Sequence, residues 1–178
     1  MEPHAYPTWN PTSKTDLINI LQNCTKCLQS TYNGEFIIPL TEILSLPRKK
    51  LRKSRITNLI INFQSHWCLI AIFWRQNSLI LCDPLNTISN NANVLRYISQ
   101  FSQKHNLKTF FFAVGFQILT SSNCGQLCLA LIAVINTKAS LLKFCKFRNT
   151  LLKNSIRKNE TYLLTLLKNH FKLYWFRI

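Results

Sequence analysis

Four residues of this chain carry the side chains that acyl transfer by a thiol requires, in the order His66, Asp83, Gln117, Cys124. That chemistry needs a nucleophile, a base to take its proton, a group to orient the base and a donor for the developing oxyanion. Cys124 stands in Asn123-Cys124-Gly125 at the head of an apolar run. A helix starting there sets the thiol against unpaired backbone N–H groups and the positive end of the dipole, which favours thiolate. Gly125 leaves room beside it. Taken singly, Cys124 reads more simply as a buried core thiol.

His66 opens an apolar strand and Asp83 closes the next, seventeen residues later. Two antiparallel strands joined by a short turn bring such positions side by side. The carboxylate then fixes the imidazole tautomer and stabilises the imidazolium. Asp83 also suits a turn ahead of Pro84. It is one of only six acids and the only one between Glu42 and Glu160. Gln117 precedes Cys124 by seven residues. On the loop leading into the helix, its amide can join the Cys124 N–H as an oxyanion donor; an ordinary loop glutamine is the alternative.

Periodicity supplies the elements that must position these groups. Residues 1–13 hold Pro3, Pro7 and Pro11 and read as an irregular lead-in. Thr15 or Asp16 caps a helix through Leu17, Ile20, Leu21 and Cys24. Tyr32–Glu35 reads as a turn, followed by extended Phe36–Pro39. Leu59–Phe63 starts a strand-rich stretch. His66–Trp74 and Ser78–Cys82 are expected as buried strands joined by a turn at Arg75–Asn77. Asn90–Gln103 fits a helix with Val94, Leu95, Ile98 and Phe101 on one face, and Phe110–Val114 another buried strand. The helix from Cys124 carries Leu127, Cys128, Leu131 and Val134 inward. Lys138–Lys158 reads as helical and basic, with Lys143, Lys146, Lys153 and Arg157 opposite Leu141, Leu142, Phe144, Cys145 and Leu152. Asn159 caps a last helix with Leu163, Leu164, Leu167 and Phe171 on its apolar side.

The chain has 178 residues, 47% of them apolar, enough for one domain with a sizeable core. Lys and Arg number 22 against 6 acids, giving +16, which points to a polyanionic partner. The densest charge is Arg48, Lys49, Lys50, Arg52, Lys53 and Arg55, six basic residues of eight. With the Lys143–Arg157 stripe, this run is the candidate phosphate contact; a nuclear import signal or a solvated loop are the alternatives. No base-reading motif is visible, so binding to DNA is expected to be sequence-independent and salt-sensitive. Glycine is scarce (3) while Asn, Lys and Ile are abundant, as an AT-rich genome would produce. Seven cysteines and no signal peptide favour a reducing compartment over a disulfide framework. Cys24-x-x-Cys27 lacks a second ligand pair at finger spacing, so no metal is expected. Leu69–Trp74 and Leu127–Ile135 are too short to span a bilayer, and no membrane partner is expected.

His66-Trp67, Asp83-Pro84, Gln117 and Asn123-Cys124-Gly125 together resemble the adenovirus protease (adenain) family, in the clan that also holds the Ulp1/SENP deconjugases. The His-to-acid and Gln-to-Cys intervals look like adenain's. Ulp1/SENP enzymes usually place the Gln one residue closer and an Asp before the Cys, where this chain has Asn123. The resemblance is clear from about His66 to Ala133. It is weaker in residues 14–40 and at the C-terminus, where Tyr162-Leu163-Leu164 and His170-Phe171 look like adenain's last helix. It implies a single-domain α+β fold over residues 1–178, a mixed β-sheet packed against the nucleophile-bearing helix with C-terminal helices. It implies Cys124 as nucleophile, His66 as general base, Asp83 as its orienter and Gln117 as oxyanion donor, with no metal or small-molecule cofactor. It further implies a monomeric thiol endopeptidase that cleaves virion precursor proteins at apolar sites followed by glycines, in the host nucleus and the virion. Viral DNA and a short basic capsid-derived peptide would be its activators. In adenain a disulfide joins that peptide to a cysteine between the 90–103 helix and Gln117, and this chain has no cysteine there. A deconjugase of ubiquitin-like modifiers and a non-catalytic basic DNA-binding virion protein are the competing readings.

Overall fold

The computed structural model describes residues 37–52, 54–64, 66–121, 123–138 and 140–171. The expected 15–24 helix, the turn at 32–35, Phe36, Cys24-x-x-Cys27 and Lys53 lie outside them.

The apolar runs form one mixed five-stranded sheet. Its strands are β1 (Ile37–Pro39), β2 (Ile56–Phe63), β3 (His66–Phe73), β4 (Ser78–Cys82) and β5 (Lys108–Phe111), in that spatial order. β2, β3 and β4 are antiparallel neighbours; β1 and β5 run parallel to β2 and β4 at the two edges. The helices are α1 (Arg48–Leu51), α2 (Ala92–His105), α3 (Cys124–Lys138), α4 (Leu141–Leu152) and α5 (Ile156–Phe171).

Strand alternation divides the core into two layers. Trp67, Leu69, Ala71 and Phe73 of β3 join Ile80 and Cys82 of β4 in the layer that includes α3, α4 and α5. Cys68, Ile70 and Ile72 join Leu79 and Leu81 in the layer that includes α2. This is the α+β arrangement expected, with helices on both faces of the sheet. α3 is apolar on every side, and Cys124 through Ile135 are all buried, as such a helix must be. Among the described residues, no helix is long and apolar enough to cross a membrane.

β2, β3 and β4 fall where alternation and turn chemistry put them. Asn91 caps α2, its side chain accepting from the Val94 N–H at 3.2 Å. With only three glycines in the chain, Asn77, Asn86 and Asn106 take left-handed backbone positions that glycine often fills.

Three expectations are corrected. The first is the strand at Phe110–Val114. β5 starts at Lys108 and ends at Phe111, and Phe110 and Phe111 are 49% and 41% exposed because β5 is an edge strand. Ala113 then adopts φ 51°, and Phe112, Val114 and Phe116 all turn inward from irregular backbone. Bonds from Phe112 N to Leu81 O and Phe116 N to Pro84 O, both 2.9 Å, draw this segment across the end of β4.

The second is the continuous helix over Lys138–Lys158. α4 ends at Leu152 and α5 begins at Ile156, so Lys143, Lys146, Lys153 and Arg157 do not share one helix face. The inward residues of α4 are Phe144, Phe147 and Leu151, while Leu142, Cys145 and Leu152 are exposed. Phe144 stacks between Phe73 and Phe112, with centroids 6.2 and 5.2 Å away. Aromatic packing of this kind sets the helix rotation more strongly than leucine count.

The third is the Asn159 cap. Asn159 lies inside α5, is 1% exposed, and donates to the carbonyls of Leu151 (2.9 Å) and Gly115 (3.5 Å). The cap is Ser155, whose Oγ accepts from Lys158 N at 3.3 Å.

His105 closes α2 deep in the α2-side layer, 1% exposed, between Phe101 and Trp74. Neither ring nitrogen makes a hydrogen bond of standard geometry. Burial lowers its pKa, and Lys104 and Arg48 add to that against a raising influence of the Leu46 carbonyl. A depressed histidine supports the fold fully above its unfolded pKa of ~6.5 and loses that support as pH falls below it. Between pH 7 and pH 5, unfolding free energy measured by denaturant titration should therefore change less favourably in wild type than in His105→Leu, because only wild type carries this loss. An unchanged slope in the variant would contradict a neutral buried His105.

Candidate active site

Register fixes the first pair. β3 and β4 pair Leu69 with Cys82, so Cys68 faces Asp83 one step further and His66 lies just beyond on the same face. His66 Nε2 meets Asp83 Oδ1 at 2.6 Å. The turn after β4 serves the same carboxylate. Leu85 N donates to Oδ1 at 3.0 Å, and Thr87 N and Ile88 N donate to Oδ2 at 2.6 and 2.8 Å. Asp83 is thus a turn former and an orienter at once. Burial alone would raise its pKa, but His66 and the Thr87 and Ile88 N–H groups win and hold it at about 2.

With Nε2 committed to Asp83, Nδ1 is left for the thiol. Cys124, 6% exposed at the first position of α3, lies where the His66 side chain perturbs its titration. Burial would raise its pKa. The His66 contact, the backbone N–H groups of Trp67 and Gly125 and the imidazolium charge outweigh that and lower it. His66 moves the other way: burial would lower it, but Asp83 and then Cys124 lift it to about 9. The geometry and both directions describe a thiolate–imidazolium pair held by a carboxylate. The neighbouring thiols differ. Burial pushes Cys68, Cys82 and Cys128 up, so they stay protonated.

Trp67, which reads from sequence as cleft wall or core, is core at 6% exposure. Its backbone nonetheless serves the site, its carbonyl accepting from Cys128 Sγ at 3.6 Å. Gln117 is buried on the irregular segment before α3, and its Nε2 donates to Ser121 O at 2.7 Å. That bond uses one of the two amide N–H groups and leaves the other for an oxyanion.

Glu160 is the residue that periodicity missed. From α5 it accepts from Ile118 N, Ser121 Oγ and Asn123 Nδ2. The available signal was its rarity, as one of six acids. His66, Cys68 and Asp83 also place ligand atoms within 4.8 Å of one another. A cation there would have to displace the donors already on Asp83.

The basic candidates do not join this site. Trp74 N donates to Arg55 O at 3.3 Å, and the Arg48 guanidinium lies 5.8 Å from the Trp74 ring. The Arg48–Arg55 run therefore sits at the Trp74 end of β3. The eight residues of β3 separate that end from His66 by about 25 Å at ~3.3 Å per residue. Arg48, Lys49, Arg52 and Arg55 are exposed there with Arg75, while Lys50 is half-buried. Lys143, Lys146, Lys153 and Arg157 are exposed on α4 and around the start of α5.

No protein-family model matches the chain, and no curated protein sequence matches it. Among the solved structures similar to it are two proteases. One, described as a de-sumoylating protease, superposes with a TM-score of 0.46 over 89% of this chain and 80% of its own, at 15% identity. The other, the SUMO protease Ulp1 with its catalytic cysteine oxidised to a sulfinic acid, gives 0.41 over 84% and 77%, at 12% identity. At such identities no residue role is carried across.

The pair makes a testable signature. Alkylation of Cys124 by iodoacetamide, followed by mass spectrometry across pH, should persist below the ordinary thiol range. It should show a second step near pH 9 as His66 loses its proton. His66→Ala should move the titration up, because burial is then opposed only by the backbone N–H groups of Trp67 and Gly125. Identical titrations in the two proteins would contradict the ion pair.

Proposed function

We propose that this chain is a cysteine endopeptidase. The observation that carries the reading is the contiguous line Cys124–His66–Asp83 at the start of a buried helix. The Cys124 thiolate attacks the scissile carbonyl carbon, and the oxyanion is met by Gln117 Nε2 and the Cys124 N–H. The imidazolium of His66 gives its proton to the leaving amine as the C–N bond breaks, leaving a thioester. Water, deprotonated by His66, then releases the acid and regenerates the thiol pair. Asp83 keeps the ring in place throughout and stays ionised.

The finer reading is a monomeric viral enzyme that matures virion precursor proteins in the host nucleus and the particle. The resemblance in His66-Trp67, Asp83-Pro84, Gln117 and Asn123-Cys124-Gly125 supports it. So does the net charge of +16, which suits a protease working on a packaged genome. DNA is read as its activator, through the exposed Arg48–Arg55 run and the basic residues of α4 and α5. A short basic peptide is a second activator, attached without the disulfide partner that adenain uses.

The test is cleavage of a peptide carrying an apolar-x-Gly-Gly site, with and without DNA, beside a folded ubiquitin-like modifier fusion. Wild type should cleave the peptide, faster with DNA and less so at high salt. Cys124→Ala and His66→Ala should each lose at least ~10³-fold. Full activity in Cys124→Ala would sink the reading. Cleavage of the folded fusion alone would replace it with deconjugation. Salt-dependent DNA binding without thiol reactivity would favour the non-catalytic protein.

A further inference from the structure

We propose that Glu160 is a positioning residue for the oxyanion side of the site, an inference that rests on the endopeptidase reading. Glu160 lies on α5, is 4% exposed, and sits 37 to 42 residues from its three donors. Its Oε2 accepts from Ile118 N at 3.0 Å. Its Oε1 accepts from Ser121 Oγ at 2.5 Å and from Asn123 Nδ2 at 3.0 Å. All three donors lie on the loop between Gln117 and Cys124, the residues that flank the oxyanion.

Each contact leads to one of the two oxyanion donors. Ser121 gives its hydroxyl to Glu160 and its carbonyl to Gln117 Nε2. Gln117 Oε1 is buried without a hydrogen bond, so the amide is aimed through Nε2. Ser121, and through it Glu160, therefore sets where the second N–H of Gln117 points. Asn123 gives its side chain to Glu160, and its carbonyl accepts from Leu127 N at 2.9 Å in the first turn of α3. Its peptide unit with Cys124 also carries the Cys124 N–H. Neighbouring Asn159, with its bond to Gly115 O, braces the same segment just upstream. The His66–Asp83 pair is held by β3, β4 and the turn after β4, none of which Glu160 touches. Glu160 thus acts on one half of the chemistry only.

A carboxylate suits this task because two of its donors share one oxygen and the third takes the other. Glu160→Gln keeps the shape but turns an NH2 toward at least one donor. Oxyanion donors must lie within a few tenths of an ångström of their places, so a loosened loop lowers turnover without weakening ground-state binding.

Peptide cleavage by Glu160→Gln should show kcat lower by ~10- to 100-fold with KM within about threefold. Alkylation of Cys124 should keep the wild-type pH profile. In a Gln117→Ala background the same substitution should cost less, because the share that Glu160 exerts through Ser121 and Gln117 is already lost. Ser121→Ala, a milder change at the same junction, should give a smaller loss of the same kind and serves if Glu160→Gln does not fold. The inference is overturned if active wild type and both variants turn over alike. It is equally overturned if Glu160→Gln costs as much without Gln117 as with it, or shifts the thiol titration. A wild type that cleaves nothing overturns the endopeptidase reading and this inference with it.

Discussion

The contact on which the site depends is the 2.6 Å bond between His66 and Asp83. It exists because β3 and β4 pair in one register, and a slip of a single residue would send the two side chains to opposite faces. Buried strands of Ile, Leu and Phe on both faces make that slip costly. The deep cores on either side of the sheet are therefore part of the chemistry, since they hold a charged pair where solvent reaches little.

Charge inside this site is balanced locally. Asp83 is buried with an imidazole and several N–H donors, so it remains a carboxylate. That charge raises His66, and His66 in turn lowers Cys124. Each shift opposes the direction burial alone would impose. Among the described residues, the three other buried thiols follow burial and stay protonated. The large excess of basic residues lies elsewhere, with its densest run at the far end of β3. The same basic surface can attract a polyanion without perturbing the thiolate pair, since screening removes most of its influence over ~25 Å.

The parts of the fold legible in the sequence are those set by local pattern. Two short, continuously apolar runs with a turn at Arg75–Asn77 give β3 and β4, and hence the neighbourhood of His66 and Asp83. A uniformly apolar run after Cys124 gives α3. What was not legible depends on contacts distant in sequence. Phe110–Val114 reads as a buried strand because five apolar residues in a row look alike, yet only Phe112 and Val114, on either side of a left-handed Ala113, turn inward. The inward face of α4 follows from packing of Phe144 on Phe73 and Phe112. Asn159 reads as a cap and Glu160 draws no role, because their partners at Gly115 and 118–123 sit some forty residues upstream.

The central claim is that, among the five cysteines the structure describes, Cys124 is chemically set apart by its helix start and its histidine. The direct measurement is site mapping by mass spectrometry after exposure to a peptide ending in a weak electrophile at the scissile position, at neutral pH. The account predicts a thioether at Cys124 alone, absent in His66→Ala. Labelling led by the exposed Cys145, with Cys124 untouched, would contradict it.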